Sequence, residues 1–314
     1  MAEKTEIRRF GYYIPKPDGT MDISVHCTVV DSDVLAEMNE IVGVIFNLQP
    51  IVMAFDVVEK NYKELVNLID ESTSHLNSLT SSILAPVSVV MDVMTSLSQK
   101  TTNFLSSTSA FLAHVDRQLE KIHGRDSTEW LTWDAKRKDL HAGSFAYRFL
   151  YELRNFAQHR DIPFSTLNCT GERNSEDASL VFQIKTLIVT EQLISSGHNW
   201  KKLTAQIEQQ PNVFDLLPLA SEYLQCLRQL CLEASRPQME RLAICDHYFN
   251  VLRNTLKIPP GAVPVIFVGE SASKGKPPSR HEVIPMEQFS HLLGKLAEFV
   301  MRSQVQTCPG KHGV

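Results

Sequence analysis

The chain has 314 residues, 43% of them hydrophobic and 21% charged, which is apolar material enough for a buried core and suggests two units on a prior of ~150 residues each. With 13 Gly and 15 Pro the composition excludes a wholly disordered chain. A net charge of −5 excludes a general attraction to nucleic acid or anionic membrane, so any such partner needs a local patch.

The longest apolar stretch, 41–55, is interrupted by Asn47, Gln49 and Pro50 and is shorter than the ~20 residues that cross a bilayer, so no membrane partner is expected. Glu3, Lys4, Glu6, Arg8 and Arg9 precede Phe10 with no apolar run behind them, which argues against a secretory signal and makes cytoplasm the expected location. Six cysteines, at 27, 169, 226, 231, 245 and 308, form no CxxC pair and are read as reduced thiols.

Residues 7–30 read as a β-hairpin. Arg8 to Ile14 and the alternating Ile23, Val25, Cys27 and Val29 flank a turn containing Pro15, Pro17, Asp18 and Gly19. Two strands alone are marginal, so the hairpin must pack on something larger. Helical signals start at an N-cap in Asp31, Ser32 and Asp33 and run to residue 84, with a break expected near Gln49 and Pro50. Pro86 marks a helix boundary or kink, and a further helix is expected to residue 122.

Leu76, Ile83, Val90, Leu97, Phe104 and Phe111 recur every seventh residue, with Val87, Met94, Thr101, Thr108 and Val115 four positions after five of them. This is one apolar seam on long helices, and the Ser- and Thr-rich remainder favours a bundle, or a dimer built on one, over a solitary rod.

Residues 128–140 hold Trp130 and Trp133, read either as core anchors or as stacking platforms for unpaired bases, followed by the basic run Lys136, Arg137 and Lys138. A helix over 143–159 follows. Residues 171–177 read as a polar loop and 180–189 as a strand, together a small β insertion. Helices are expected at 200–209, 216–233, 237–256 and 286–304, with a Pro-, Gly- and Ser-rich loop at 259–285 and a loose tail at 309–314.

The helix ending at His159 carries the chemistry. At 100° per residue, Phe145, Phe149, Leu153 and Phe156 share one face with Ala146, Leu150 and Ala157. The opposite face presents Tyr147, Arg148, Tyr151, Glu152, Arg154, Asn155, Gln158 and His159 without a lysine. Such directional hydrogen-bonding groups suit a ligand or partner better than a merely solvated face. Asn155 and His159, at i and i+4, are expected to hydrogen-bond, fixing which imidazole nitrogen is left free. Arg154 lies about 140° round the helix from His159, so the two meet only if the Arg side chain reaches round or a second copy supplies the complement.

Arg154-Asn155-Phe156-Ala157-Gln158-His159 resembles the Arg, polar residue, spacer, His motif of the HEPN superfamily, all-helical domains that include metal-independent ribonucleases of toxin–antitoxin, CRISPR and phage-defence systems. A similar motif occurs in uncharacterised bacterial proteins. The resemblance implies a homodimeric endoribonuclease without metal or other cofactor, a toxin or phage-defence effector acting on RNA beside an antitoxin or defence partner protein. In that reading Arg154 binds the scissile phosphate, Asn155 orients, and His159 assists attack of the ribose 2′-hydroxyl to leave a 2′,3′-cyclic phosphate. Arg148, Tyr151, Glu152 and Gln158 share the face as supporting or substrate-binding residues. From 117 to 160 there are nine Lys or Arg against six Asp or Glu, a local excess of positive charge. The alternative is a non-catalytic helical adaptor that uses the same face to hold a partner subunit.

Other signals are weaker. Arg241 and His247, with five residues between them, superficially repeat the motif, but Leu242 replaces the polar residue after Arg. The run from Gly269 to Pro277 has one residue too many for a phosphate loop, and Pro277 stands where Ser or Thr would hold magnesium. No HExxH, Gly-x-Ser-x-Gly or Gly-x-Gly-x-x-Gly is present. The expected architecture is mainly α: an N-terminal hairpin (1–34), a HEPN-like helical region (35–165), a β insertion (166–190) and a C-terminal helical region (191–314).

Overall fold

The computed structural model describes residues 6–78, 87–160, 168–173, 180–269 and 280–305. The protein is mainly α, a bundle of long helices with a small antiparallel sheet. The chain divides into two compact units, residues 1–49 with 235–302, and residues 50–234 with 303–314.

The first unit holds a four-stranded antiparallel sheet in the order β2 (Met21–Val29), β1 (Arg8–Pro15), β7 (Val263–Val268) and β8 (Arg280–Val283). The expected hairpin thus finds its larger partner in a strand more than 240 residues later, pairing Arg8 with Val268 and Tyr13 with Val263. The hairpin turn uses Gly19 at φ 80° and the Asp18 carboxylate, which accepts from the Thr20 amide at 2.9 Å and hydroxyl at 2.7 Å. At Gly11 the strands approach so closely that a Cβ would lie 2.2 Å from the Ser24 carbonyl oxygen, so only glycine fits. Val265, Ile266, Phe267 and Val268 are buried, as are Phe289, Leu292, Leu296 and Phe299 on α8 (Met286–Val305). Residues 259–285, expected as a loop, therefore include two strands; the central position of β7 in the sheet outweighs the flanking Pro and Gly.

The second unit is the bundle. Two long helices, α1 (Ser32–Ser78) and α7 (Leu216–Thr255), run from one unit into the other. Each contains a proline, Pro50 and Pro237, where the sequence suggested an end. A proline in a helix removes one backbone hydrogen bond at a cost of ~3 kcal/mol. Each helix runs on through its proline, and Leu48, Ile51, Val52 and Phe55 beside Pro50, and Ala234, Ser235 and Gln238 beside Pro237, are buried.

By length and composition α1 passes as a helix able to cross a membrane over residues 32–75, its apolar 18-residue window having a mean hydropathy of 2.0, a test that the core helix of a folded unit also passes. Within the chain its Ile45, Leu48, Phe55 and Val58 are fully buried, as in a core helix, while Phe46, Met53 and Val57 are exposed.

On α2 (Val87–His123) the expected heptad row is buried from Leu97 onward, while Val90 and Met94 are half-buried. Leu97, Thr101, Phe104, Thr108, Phe111 and Val115 are all buried within the chain, and Thr108 satisfies its hydroxyl on the Leu105 carbonyl at 2.7 Å. Leu76, Ile83 and Pro86 lie where no side chain is described. After a turn with Gly124 at φ 86°, α3 (Thr128–Gly143) is capped by Ser127, whose hydroxyl accepts from the Trp130 amide at 3.1 Å. Ser144 closes α3 and caps α4 (Phe145–His159), accepting from the Tyr147 amide at 3.0 Å. Both α3 and α4 pack on α2.

The β insertion differs in detail. Residues 168–173, partly read as loop, form β3 (Asn168–Arg173), which pairs antiparallel with β4 (Leu180–Lys185); ladder pairing overrides their weak strand propensity. Thr186 ends β4 by donating its hydroxyl to Asp215 at 2.6 Å, and β5 (Leu187–Val189) pairs instead with β6 (Val213–Asp215). Between them lie α5 (Thr190–Ser195), a 3-10 turn (Lys201–Leu203) and α6 (Thr204–Glu208). The tail at 309–314 lies outside the described residues.

Candidate functional site

α4 is packed on two sides, which sets which of its polar groups face outward. Phe149 stacks on Trp200 at 6.0 Å and meets Phe214 edge-on at 5.6 Å; Phe156 approaches Trp200 at 5.4 Å. Tyr147, expected on the polar face, is buried, edge-on to Tyr223 at 5.0 Å. Burial holds its phenol neutral well above the usual tyrosine range. Glu152, also expected on that face, is buried too: its carboxylate pairs with His198 Nε2 at 3.1 Å and Lys201 Nζ at 3.3 Å. A single helical wheel assigns one buried side, and α4 has more than one.

Arg148 is equally committed within the chain. Its guanidinium donates to the His141 carbonyl at 2.7 Å, to the Ala142 carbonyl, and to Gln206 Oε1 at 2.9 Å, clamping the last turn of α3 onto α4. It is a structural tie between helices, not a group turned toward a ligand.

Arg154, Asn155 and Tyr151 line a cleft of about 600 Å³ between α2, α3 and α4. From α2 come Ser109, Leu112, Ala113 and Asp116; from α3 come Arg137, Lys138 and His141. Such a volume lies in the range of small-ligand sites. The Arg154 guanidinium donates to Asn155 Oδ1 at 3.1 Å, and Asn155 Nδ2 donates to Glu152 Oε2 at 3.4 Å. The carboxylate anchored by His198 and Lys201 thus holds the amide, and the amide aims the guanidinium. Asn155 takes these partners rather than His159, which corrects the expected i,i+4 hydrogen bond.

His159 and Gln158, near the end of α4, are exposed and lie outside the lining of the cleft. Within one chain the cleft brings Arg154 and Asn155 together, and leaves His159 apart.

The cleft is positive. Arg137 and Lys138 share the single carboxylate of Asp134, Lys138 at 2.7 Å. Burial pushes the Asp134 pKa up, but hydrogen bonds and charge from Lys138 and Arg137 outweigh it and hold the carboxyl below its usual range. Asp116 turns to Arg125 at 3.7 Å. Among the described residues no carboxylate pairs with Arg154, and its buried Nε has no hydrogen-bond partner.

The α3 contribution was only half legible. Lys136, Arg137 and Lys138 stood out as a basic run, but His141 did not; the readable signal is its place one turn after Arg137 on the same helix. Trp133 is fully buried beneath the Arg137 guanidinium, 5.1 Å from the ring, and is a core anchor rather than a stacking platform. Half-buried Trp130 carries Arg125 at 5.7 Å. Elsewhere, Arg241 pairs with Glu40 at 3.9 Å, and residues 270–279 of the loop after Gly269 lie outside the described residues. Among the described residues no group of three His, Cys, Asp or Glu side chains could hold a metal ion.

Comparison of the chain with protein-family models, curated proteins and solved structures finds no match.

Proposed function

We propose that the chain is a HEPN-like, metal-independent endoribonuclease that binds an RNA phosphodiester in the cleft between α2, α3 and α4. The observation that carries the reading is Arg154: a guanidinium in a cleft with Arg137 and Lys138, without a carboxylate of its own among the described residues. A bidentate guanidinium matches two phosphate oxygens, and Asn155, tied to Glu152, keeps it aimed. The reaction is transfer of the phosphodiester to the ribose 2′-oxygen, assisted by an imidazole. His159 is the imidazole that the motif implies; from the end of α4 it would act through a second copy in a homodimer. A toxin or phage-defence role, with an antitoxin or defence partner, belongs to the same proposal.

One observation favours the adaptor reading. Arg148 and Glu152, two of the four expected supporting residues, are spent on contacts within the chain, as in a helix whose polar groups organise a bundle.

The test is incubation of purified protein with single-stranded and hairpin RNAs in EDTA, beside an Arg154→Ala/His159→Ala variant. Cleavage by the wild type alone, leaving 2′,3′-cyclic phosphate and 5′-hydroxyl ends, is the expected result. Intact RNA with a folded wild-type protein would move the assignment to the adaptor.

A further inference from the structure

Resting on the ribonuclease reading, we propose that His141 is the general base of this cleft, acting on an RNA phosphodiester held by Arg154. A general base must reach the proton it removes, and the cleft that contains Arg154 is lined by His141 and not by His159. The site then needs no second copy of the chain to bring guanidinium and imidazole together.

His141 is held by more than its own helix. It lies in the last turn of α3, where its carbonyl and that of Ala142 accept from Arg148. Its ring meets the edges of Tyr147 at 5.5 Å and Tyr151 at 6.4 Å, two α4 residues that line the same cleft. His141 is itself solvent-exposed, as His159 is, and it is these contacts with α4 that hold its position. Its surroundings are Asp116 from α2, Tyr147, Arg148, Tyr151 and Arg154 from α4, and Arg137 and Lys138 from its own helix, a set in which cations outnumber the one carboxylate. Partial desolvation, then Arg148 and Arg137, push the imidazole pKa below its ordinary value of 6.5, so the ring is a neutral base at pH 7.

The step balances without any further reagent than water. One ring nitrogen of His141 takes the proton of the 2′-hydroxyl; the 2′-oxygen forms a bond to phosphorus as the bond to the 5′-oxygen breaks with its electron pair. The leaving 5′-oxygen takes a proton from water, and the imidazolium returns its proton to the hydroxide so formed. Arg154, with Arg137 and Lys138, would offset the charge that gathers on the phosphoryl oxygens.

The experiment measures single-turnover cleavage of a labelled single-stranded RNA in EDTA from pH 5 to 9, and its binding by fluorescence anisotropy. It compares the full-length wild type with His141→Gln, His141→Ala and His159→Gln, each checked for its thermal midpoint. His141→Gln is expected to lose about 100-fold or more in rate, with RNA affinity within about twofold, and with the acid limb of the wild-type profile, lying below pH 6.5, abolished. Added imidazole is expected to restore part of the rate to His141→Ala, an effect that a structural role would not show. Near-normal cleavage by His141→Gln with an inactive His159→Gln would overturn the His141 assignment and leave the ribonuclease standing. RNA left intact by the wild type at every pH would overturn both.

Discussion

Two arginines of the same unit, Arg228 on α7 and Arg154 on α4, show how one side chain can be structural or available. Arg228 is only 4% exposed and both its terminal nitrogens are matched, one donating to Glu59 at 2.7 Å and the other to Gln225, with its guanidinium carbon 5.9 Å from the Phe55 ring centroid; its buried Nε, like that of Arg154, has no hydrogen-bond partner. Arg154 is half-buried, among the described residues meets only an amide oxygen, and faces a cleft with two further cations. A buried charge must be paired to be tolerated. A guanidinium that is aimed but not neutralised keeps its capacity for an anion.

The sharpest way to break this comparison is to remove the matched arginine. Arg228→Met removes the buried guanidinium that donates to the Glu59 carboxylate and is expected to cost ~3–5 kcal/mol in urea unfolding, whereas Glu59→Leu/Arg228→Met is expected to recover most of that loss. A cost below ~1 kcal/mol for the single variant would mean that the buried pair is not what holds α1 to α7 at this point.

The converse is expected of Arg154→Gln. It should leave the unfolding midpoint nearly unchanged while weakening single-stranded RNA binding ~10-fold or more, as for loss of a charge-assisted hydrogen bond of ~1.5–3 kcal/mol. Anisotropy titrations at two salt concentrations measure this, and a shallower salt dependence in the variant is the accompanying sign.

The smallest effect is at Asp134, which holds Arg137 and Lys138. Its pKa is depressed in the folded chain, so it contributes stability that is fully present above its unfolded value, near 3.8, and lost as pH falls through the lower folded value. The wild type should therefore exceed Asp134→Asn by on the order of 1 kcal/mol at pH 7, and the gap should close below pH 3.8. Thermal midpoints across pH 2–7 check it.

Much of the bundle was legible because its signals are periodic. The seven-residue row on α2 placed Leu97, Phe104, Phe111 and Val115 inside, and the cap expected at the start of α1 is there, the Asp31 carboxylate accepting from the Asp33 and Val34 amides. Part of the candidate site was legible too: Arg154, Asn155 and Tyr151 line the cleft. The mistaken parts share a cause. Tyr147 and Glu152 were placed on an open face because a wheel knows only its own helix, and the segment that covers Glu152, carrying His198 and Lys201, is some 46 residues distant in sequence. Pro50 and Pro237 suggested breaks, and each lies inside a helix that continues past it.

By itself the sequence determined that this chain is mainly helical, that α2 buries a heptad seam from Leu97 to Val115, and that one helix carries an Arg- and Asn-bearing polar face, because propensity, periodicity and capping act over a few residues. Only the tertiary structure decided that β1 pairs with β7, that Glu152 is locked away while Arg154 is left facing a cleft, and that His141 rather than His159 shares that cleft. Those outcomes depend on which distant segments exclude water from which side chains, and burial of that kind is a property of the packed chain.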